Sequence, residues 1–279
     1  MELFNQLARG AEDVIHPDEG DYVQNGLLHC GKCKTPKQHK VTVFGSERTV
    51  FCLCKCAAEA RRKEDEEYAK RQQLRRVRDL RQWGFTNDEL AQWTFDKDDH
   101  ANPKLTSWAR SYVRYFPTML AKGKGVVLYG PVGTGKTFAA ACVANALIDE
   151  GHPVLMTSFS RIGNVLQGEK NKQEYLDELG RYDLLVIDDL GAERNTSFMD
   201  EVVYNTIDTR YRQKKPLIVT TNYTRDEIDR ASDVTNQRVF SRLFEMCAFM
   251  PVPGNDRRRA IYTQNRKETE RMEAEDDLF

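Results

Sequence analysis

Apolar residues in this chain gather into short unbroken runs separated by amphipathic stretches, and the alternation sets in near residue 105. Val126-Val127-Leu128-Tyr129, Pro153 to Ser158, Leu184 to Ile187 and Pro216 to Thr221 are continuous rather than period-two, as in strands buried on both faces. Between them, Phe138–Ile148, Ser160–Leu179 and Phe198–Gln213 have helical composition. Arg225–Phe244 brings further helices rich in Arg and Asp, and Phe249-Met250-Pro251-Val252 a last short strand. Leu105–Leu120 reads as an amphipathic helix whose Trp108, Tyr112, Tyr115 and Phe116 are packing residues. Such alternation predicts an α/β domain, a parallel sheet covered by helices on both faces.

Ahead of residue 105 the pattern changes. Ala57–Trp83 is strongly helical and charged, acidic early and basic late, with a narrow stripe of Leu74, Val77 and Leu80. It reads as a solvated connecting helix, with a partner- or nucleic-acid-facing helix as the alternative. The expected domains are an N-terminal module with this helix (1–83), a linker (84–104), the α/β domain (105–265) and an acidic, disordered tail (266–279). Residues 1–26 are mixed and acidic, with Pro17 and Gly20 breaking any long helix.

Composition adds exclusions. The chain has 279 residues, 40% hydrophobic and 30% charged, with a formal net charge of -1. No overall basic excess advertises nucleic-acid binding, so any such surface must be local. No apolar run approaches the ~20 residues of a membrane span, and Met1 to Asn5 lack a signal-peptide pattern, so a cytoplasmic protein without membrane contact is expected. Seven cysteines, five of them between Cys30 and Cys56, argue for a reducing compartment rather than a disulfide framework. Cys142 and Cys247 lie among apolar residues and read as ordinary buried thiols.

The other five have a pattern. Cys30-Gly31-Lys32-Cys33 is followed by a β-leaning basic segment turning near Gly45-Ser46, then by Cys52-Leu53-Cys54-Lys55-Cys56. A C-x2-C knuckle, a hairpin and a second cysteine cluster at a helix start predict a structural Zn²⁺ site. Cys30 and Cys33 give one pair and Cys56 a third ligand; Cys54 is taken as the fourth, with Cys52 its alternative. His29 and His39 read as bystanders, and a cluster of reactive thiols is the competing interpretation.

The densest chemistry lies at Gly130-Pro131-Val132-Gly133-Thr134-Gly135-Lys136-Thr137, between a strand and a helix. Its glycines let backbone N–H groups turn inward onto phosphate oxygens, Lys136 reaches β- and γ-phosphates, and the Thr137 hydroxyl suits Mg²⁺. Downstream, Leu184 to Asp189 is an apolar strand ending in two acids. Asp188 fits the Mg²⁺ shell, and Asp189 is placed to orient or deprotonate an attacking water. Asn222 ends the next strand with a neutral amide able to bond a γ-phosphate. In Arg238-Val239-Phe240-Ser241-Arg242-Leu243, Arg242 reads as an arginine projected across a subunit interface, which implies self-association.

The succession of GPVGTGKT, LLVIDDLG, LIVTTN and VFSRL resembles AAA+ ATPases, specifically the DnaC/DnaI-type helicase-loader branch that also contains the IstB transposition ATPases. The resemblance covers roughly Trp93 to Tyr262, and leans toward phage- or prophage-type loaders. It implies Gly130–Thr137 as Walker A, Asp188 and Asp189 as Walker B, Asn222 as sensor 1, and Arg242 as arginine finger with Arg238 the runner-up. Arg258, or Arg257, falls where a sensor 2 arginine would lie, and Phe159–Gln167 where initiator-type domains approach single-stranded DNA. Where many AAA+ proteins have Glu, this chain has Asp189, which predicts slow or partner-stimulated hydrolysis. The function implied is ATP-dependent delivery of a hexameric replicative helicase onto single-stranded DNA, the zinc module gripping the helicase. The alternatives are an IstB-like helper of a transposase and a zinc adaptor using ATP as a binding switch. A small-molecule kinase would leave Asn222 and VFSRL unexplained.

Overall fold

A computed structural model describes residues 17–169, 171–230 and 234–276, and the chain divides between Gln73 and Leu74 into two compact units. The smaller one holds two antiparallel pairs: β1 (Tyr22–Gln24) with β2 (Leu27–His29), and β3 (Gln38–Val43) with β4 (Ser46–Phe51). Phe44 and Gly45 join β3 to β4 as a two-residue loop, both at positive φ (52° and 78°), the backbone whose twist matches a hairpin. Helix α1 (Lys55–Gly84) begins in this unit. Among the described residues before Leu74, only Leu28, Cys30 and Cys54 are buried hydrophobics. So little apolar burial cannot offset the ordering entropy of more than fifty residues, and a metal or partner must supply the difference.

The larger unit contains, in chain order, the end of α1, α2 (Pro103–Arg114), α3 (Phe116–Lys122), β5 (Gly125–Tyr129), α4 (Lys136–Asp149), β6 (Val154–Ser158), α5 (Phe159–Gly168), α6 (Lys172–Leu179), β7 (Leu184–Leu190), α7 (Ser197–Arg212), β8 (Leu217–Thr221), α8 (Arg225–Asp229), α9 (Val234–Met246), β9 (Cys247–Pro251) and α10 (Arg257–Asp276). The five strands form a parallel sheet in the order β6-β7-β8-β5-β9, as the α/β pattern predicted. Successive side chains serve opposite faces. Val127, Leu185, Ile187, Leu217 and Val219 enter the core under α5, α7 and α9, whereas Val126, Leu128, Leu184, Val186 and Ile218 enter the one under α2 and α4. Two-sided burial explains the unbroken apolar runs. Each fully buried Leu or Ile contributes roughly 1.5–3 kcal/mol of transfer free energy.

Several expectations need correction. The stretch 84–104 is not a linker: Phe85 bridges to Met156 at the β6 edge, and Leu90, Trp93 and Phe95 pack on the α2–α4 core. Asn145 on α4 fixes it by donating to the carbonyls of Leu90 (2.9 Å) and Trp93 (3.0 Å). The last turns of α1 join the same core through Val77 and Leu80, while Leu74 stays exposed, so two residues of the stripe are packing surface and the connecting helix is not solvated throughout. The acidic tail is helical through Asp276, with an i,i+4 pair between Arg266 and Glu270 (2.7 Å); only 277–279 of it lie outside the described residues. Leu105–Leu120 is two helices, divided at Tyr115 just ahead of Pro117, and Ser160–Leu179 is also two. Of the aromatics there, Tyr112 and Phe116 are buried but Tyr115 is exposed. Most of the N-terminal stretch 1–26 lies outside the described residues.

One buried charge ties the amino ends of the strands together. Arg210 on α7 is fully buried and donates to four carbonyls, those of Leu179 (3.3 Å), Tyr182 (2.7 Å), Asp183 (3.1 Å) and Pro216 (2.6 Å). Burial lowers its pKa to about 10, still well above neutrality, so it remains a cation. The four carbonyls precede or enter β7 and β8, so one rigid guanidinium fastens the starts of both strands. Arg210→Met should lower the unfolding free energy by about 3–5 kcal/mol, because it strands buried acceptors. Urea denaturation checks this, and a loss under about 1 kcal/mol would show that water replaces the guanidinium.

Candidate nucleotide site and metal centre

β5 ends at Tyr129, and the loop Gly130–Gly135 turns the chain into α4. The glycines are sterically required: a Cβ on Gly130 (φ 138°) would stand 2.7 Å from the Val252 carbonyl oxygen, and one on Gly133 (φ 77°) 2.0 Å from Asp256 Oδ1. Gly135 occupies the N-cap of α4 with no side-chain cap, so the first-turn N–H groups and the helix dipole are available to an anion. Thr134 is buried and donates to the Pro131 carbonyl (3.1 Å), which fixes the loop.

The predicted residues meet in an open pocket of about 730 Å³ lined by Val132 to Thr137, Asp188, Asp189, Asn222 and Arg258. The Lys136 ammonium donates to the carbonyls of Gly130 (2.8 Å) and Pro131 (2.7 Å) and to Asn222 Oδ1 (2.9 Å). Asn222 in turn donates from Nδ2 to Asp189 Oδ1 (2.7 Å). Burial pulls the Lys136 pKa down, opposed by Asp189 and Asp188. Burial and the neighbouring Asp188 push the Asp189 pKa up, opposed by Lys136 and Arg258. Raised basicity in a partly buried carboxylate suits proton acceptance from water. Asp189 sits at φ 61°, in the left-handed region that Asp tolerates far better than Glu, which accounts for the shorter acid at this position.

Thr137 and Asp188 present a hydroxyl and a carboxylate to the same pocket as the phosphate loop. That is the sparse, hard-oxygen donor set that suits Mg²⁺, which keeps most of its waters and takes phosphate oxygens. The residues therefore fit ATP and Mg²⁺. The cation would neutralise charge on the terminal phosphates.

Other placements were less legible. Arg258 reaches the pocket while Arg257 straps it: the Arg257 N–H donates to the Gly133 carbonyl (3.2 Å) and its guanidinium to Asp99 (3.1 Å). Trp93, Lys97 and Asp99, from the supposed linker, form another wall with Phe138. The Trp93 and Phe138 rings lie 5.9 Å apart, offering an apolar flank to a planar base. Thr220, unremarked in the sequence, also lines the pocket; its one signal was a hydroxyl residue two positions before Asn222 in a buried strand. Arg242 is not brought to the pocket of its own chain. Its guanidinium is bonded to Asp208 (2.7 Å) and the Tyr204 hydroxyl (2.7 Å) and lies 4.7 Å from the Tyr204 ring centre.

In the smaller unit, Cys30, Cys33, Cys54 and Cys56 place their sulfurs within 4.8 Å of one another, with Cys54–Cys56 at 3.4 Å and Cys30–Cys56 at 3.6 Å. A tetrahedral Zn²⁺ with bonds of about 2.3 Å spaces its sulfurs about 3.8 Å apart. Donors hold Cys33 well below the usual thiol range, at about 5, foremost the Thr35 hydroxyl (3.0 Å). Cys56, hydrogen-bonded by Cys54 first and then Cys30 and Cys33, is pushed up to about 12. Four crowded thiols of which some resist ionisation are what a divalent cation resolves, so the cluster fits zinc. Cys52 is outside it, facing the Pro36 carbonyl at 3.5 Å, and the His29 ring is engaged with the Leu27 carbonyl (3.0 Å) and stacked on Tyr22.

Known proteins agree with this fold. Residues 62–265 match the family of IstB-like ATP binding protein. The chain belongs to that family. It is 29% identical over 195 residues to the replicative helicase loader DnaI of Bacillus subtilis (strain 168), covering 62% of this chain and 61% of that protein. It is 32% identical over 164 residues to the putative ATP-binding protein Rv3427c in insertion sequence of Mycobacterium tuberculosis (strain ATCC 25618 / H37Rv), covering 57% and 62%. A crystal structure of DnaI superposes with a TM-score of 0.51 at 22% identity, over 63% of this chain and 96% of that one, which supports the shared fold. The chain thus spans about three-fifths of the length of these curated relatives. Among the described residues, no helix is long and apolar enough to cross a membrane.

The metal centre makes a sharp prediction. Purified protein should carry one zinc per chain by elemental mass spectrometry; Cys54→Ser should lose it and Cys52→Ser keep it. Equal loss in both variants would return the fourth ligand to doubt.

Proposed function

We propose that this protein is a Mg²⁺-dependent ATPase that delivers a replicative helicase onto single-stranded DNA. The observation that carries the ATPase part is the continuous path from Lys136 through Asn222 to Asp189 in one pocket. A phosphate-binding lysine, a neutral amide and a carboxylate of raised pKa, linked by hydrogen bonds, are the parts hydrolysis needs; a binding switch needs only the loop. The Gly130–Thr137 loop and Arg258 would hold the phosphates of ATP, and Trp93 and Phe138 would flank its base. Asp189 orients the attacking water, and Asn222 fixes Asp189 relative to Lys136.

Arg242 acts on the ATP of a neighbouring copy, leaving its bonds to Asp208 and Tyr204 when copies associate. The loader part is supported by the identity with DnaI and by a four-cysteine module ahead of residues 62–265, which offers a second, independent surface for a cargo protein. Helix α5, which begins at Phe159, carries the exposed Arg161 and is assigned to single-stranded DNA. The insertion-sequence relative favours a second reading, an ATPase helper of a transposase.

The two readings part in a pull-down with ATP and Mg²⁺. The full chain should retain a replicative hexameric helicase and not a transposase of the insertion-sequence type, and Cys54→Ser should weaken retention at least tenfold. Capture of the transposase alone would reverse the assignment. Lys136→Ala and Arg242→Ala should each abolish steady-state turnover, and mixing them should restore part of it, since each supplies what the other lacks. No recovery on mixing would remove Arg242 from its role, and turnover unchanged in Asp189→Asn would remove Asp189.

A further inference from the structure

The pairing of β7 with β8 slips by one residue at the functional end of the sheet. Ile187 faces Val219 and Leu190 faces Thr221, so the two residues Asp188 and Asp189 stand opposite Thr220 alone. Two residues opposing one is a β-bulge, which re-aims side chains and leaves ladder groups without their usual partners. Here the side chain of Thr220 takes the place of the missing ladder acceptor. Its Oγ1 accepts the Asp189 N–H (2.9 Å) and donates its own proton to Asp188 Oδ1 (2.6 Å). Thr220 is 1% exposed, so water cannot substitute freely for either bond. The next residue closes the bulge: Thr221 Oγ1 donates to the Leu190 carbonyl (2.7 Å).

We infer that Thr220 is the positioning residue of this site: its hydroxyl sets which oxygen of Asp188 is turned to Mg²⁺ and holds Asp189 in its left-handed conformation. With Oδ1 engaged by Thr220, Oδ2 is the Asp188 oxygen that makes no hydrogen bond among the described residues. A carboxylate held at one oxygen presents the other in a single direction, as ligands steadied by an outer shell of hydrogen bonds do. Valine has nearly the same shape as threonine but neither the donor nor the acceptor. It would free the Asp188 carboxylate to rotate and leave the Asp189 N–H without a partner inside the sheet. Serine keeps both functions and loses only a methyl group.

The inference rests on the nucleotide reading of the pocket, and the test separates the two. Thermal unfolding is followed with the non-hydrolysable ATP analogue adenylyl imidodiphosphate at fixed concentration, while Mg²⁺ is titrated from a chelated baseline. Wild-type protein should be stabilised by analogue and Mg²⁺ together. Thr220→Val should need about tenfold more Mg²⁺ for half of that stabilisation, with analogue binding in chelator unchanged, and Thr220→Ser should titrate like wild type. Identical Mg²⁺ midpoints for the valine variant and wild type overturn the inference, as does a serine variant that behaves like valine. No analogue-dependent stabilisation in the wild type itself overturns both the inference and the nucleotide reading. If the valine variant does not fold, Thr220→Cys takes its place, keeping the volume with a weak donor. Its midpoint should lie above that of serine, and equality overturns the inference.

Discussion

Parallel pairing of β5, β7 and β8 is the constraint on which the site depends. Because the three strands run the same way in register, with Tyr129 beside Thr221 and Leu190 beside Thr221, their carboxyl ends finish at one edge. Whatever follows each strand is therefore delivered to the same place. After β5 comes the glycine loop, at the end of β7 the acid pair, and after β8 Asn222. The sheet can impose this order because its interior is apolar on both faces and its amino edge is fastened by Arg210. Ligand sites in open parallel sheets lie outside the carboxyl ends of the strands for this reason.

Against that rigid edge, the chemistry is tuned by departures from regularity. The one-residue mismatch between β7 and β8 turns two consecutive acids toward the pocket, where straight pairing would send them to opposite faces. Placing Asp189 at φ 61° costs on the order of 1 kcal/mol or more, and the bonds from Thr220 and Asn222 offset it. Aspartate thus satisfies a backbone constraint as well as a chemical one.

How much of this the chain revealed depended on whether the information was local. Strands buried on two faces announce themselves as unbroken apolar runs, the glycine loop is fixed by its own sterics, and the C-x2-C knuckle by its own spacing. Lys136, Asp188, Asp189 and Asn222 could be named because each ends or begins such an element. The 84–104 segment has no period of its own by which its packing could be read. Its order comes from Asn145, fifty residues away, and from the packing of Trp93 and Phe95. Thr220 was invisible for a similar reason, since a threonine in a buried strand acquires meaning only when a bulge places it opposite two acids. Arg242 shows the opposite limit: an arginine can be picked out from its motif, yet its own chain holds it against Asp208 and Tyr204, away from the pocket. The choice between Cys52 and Cys54 turned on a strand ending at Phe51, after which the chain turns Cys54 inward.

On the proposed function, the carboxyl ends of three parallel strands build one ATP·Mg²⁺ site. A crystal structure of the full chain with adenylyl imidodiphosphate and Mg²⁺ tests it most directly. The expected result is phosphates cradled by Gly130–Thr137 and contacted by Lys136 and Arg258, with the cation between Thr137 and Asp188 and the base beside Trp93. Nucleotide bound elsewhere, or a cation held without Asp188, would contradict it.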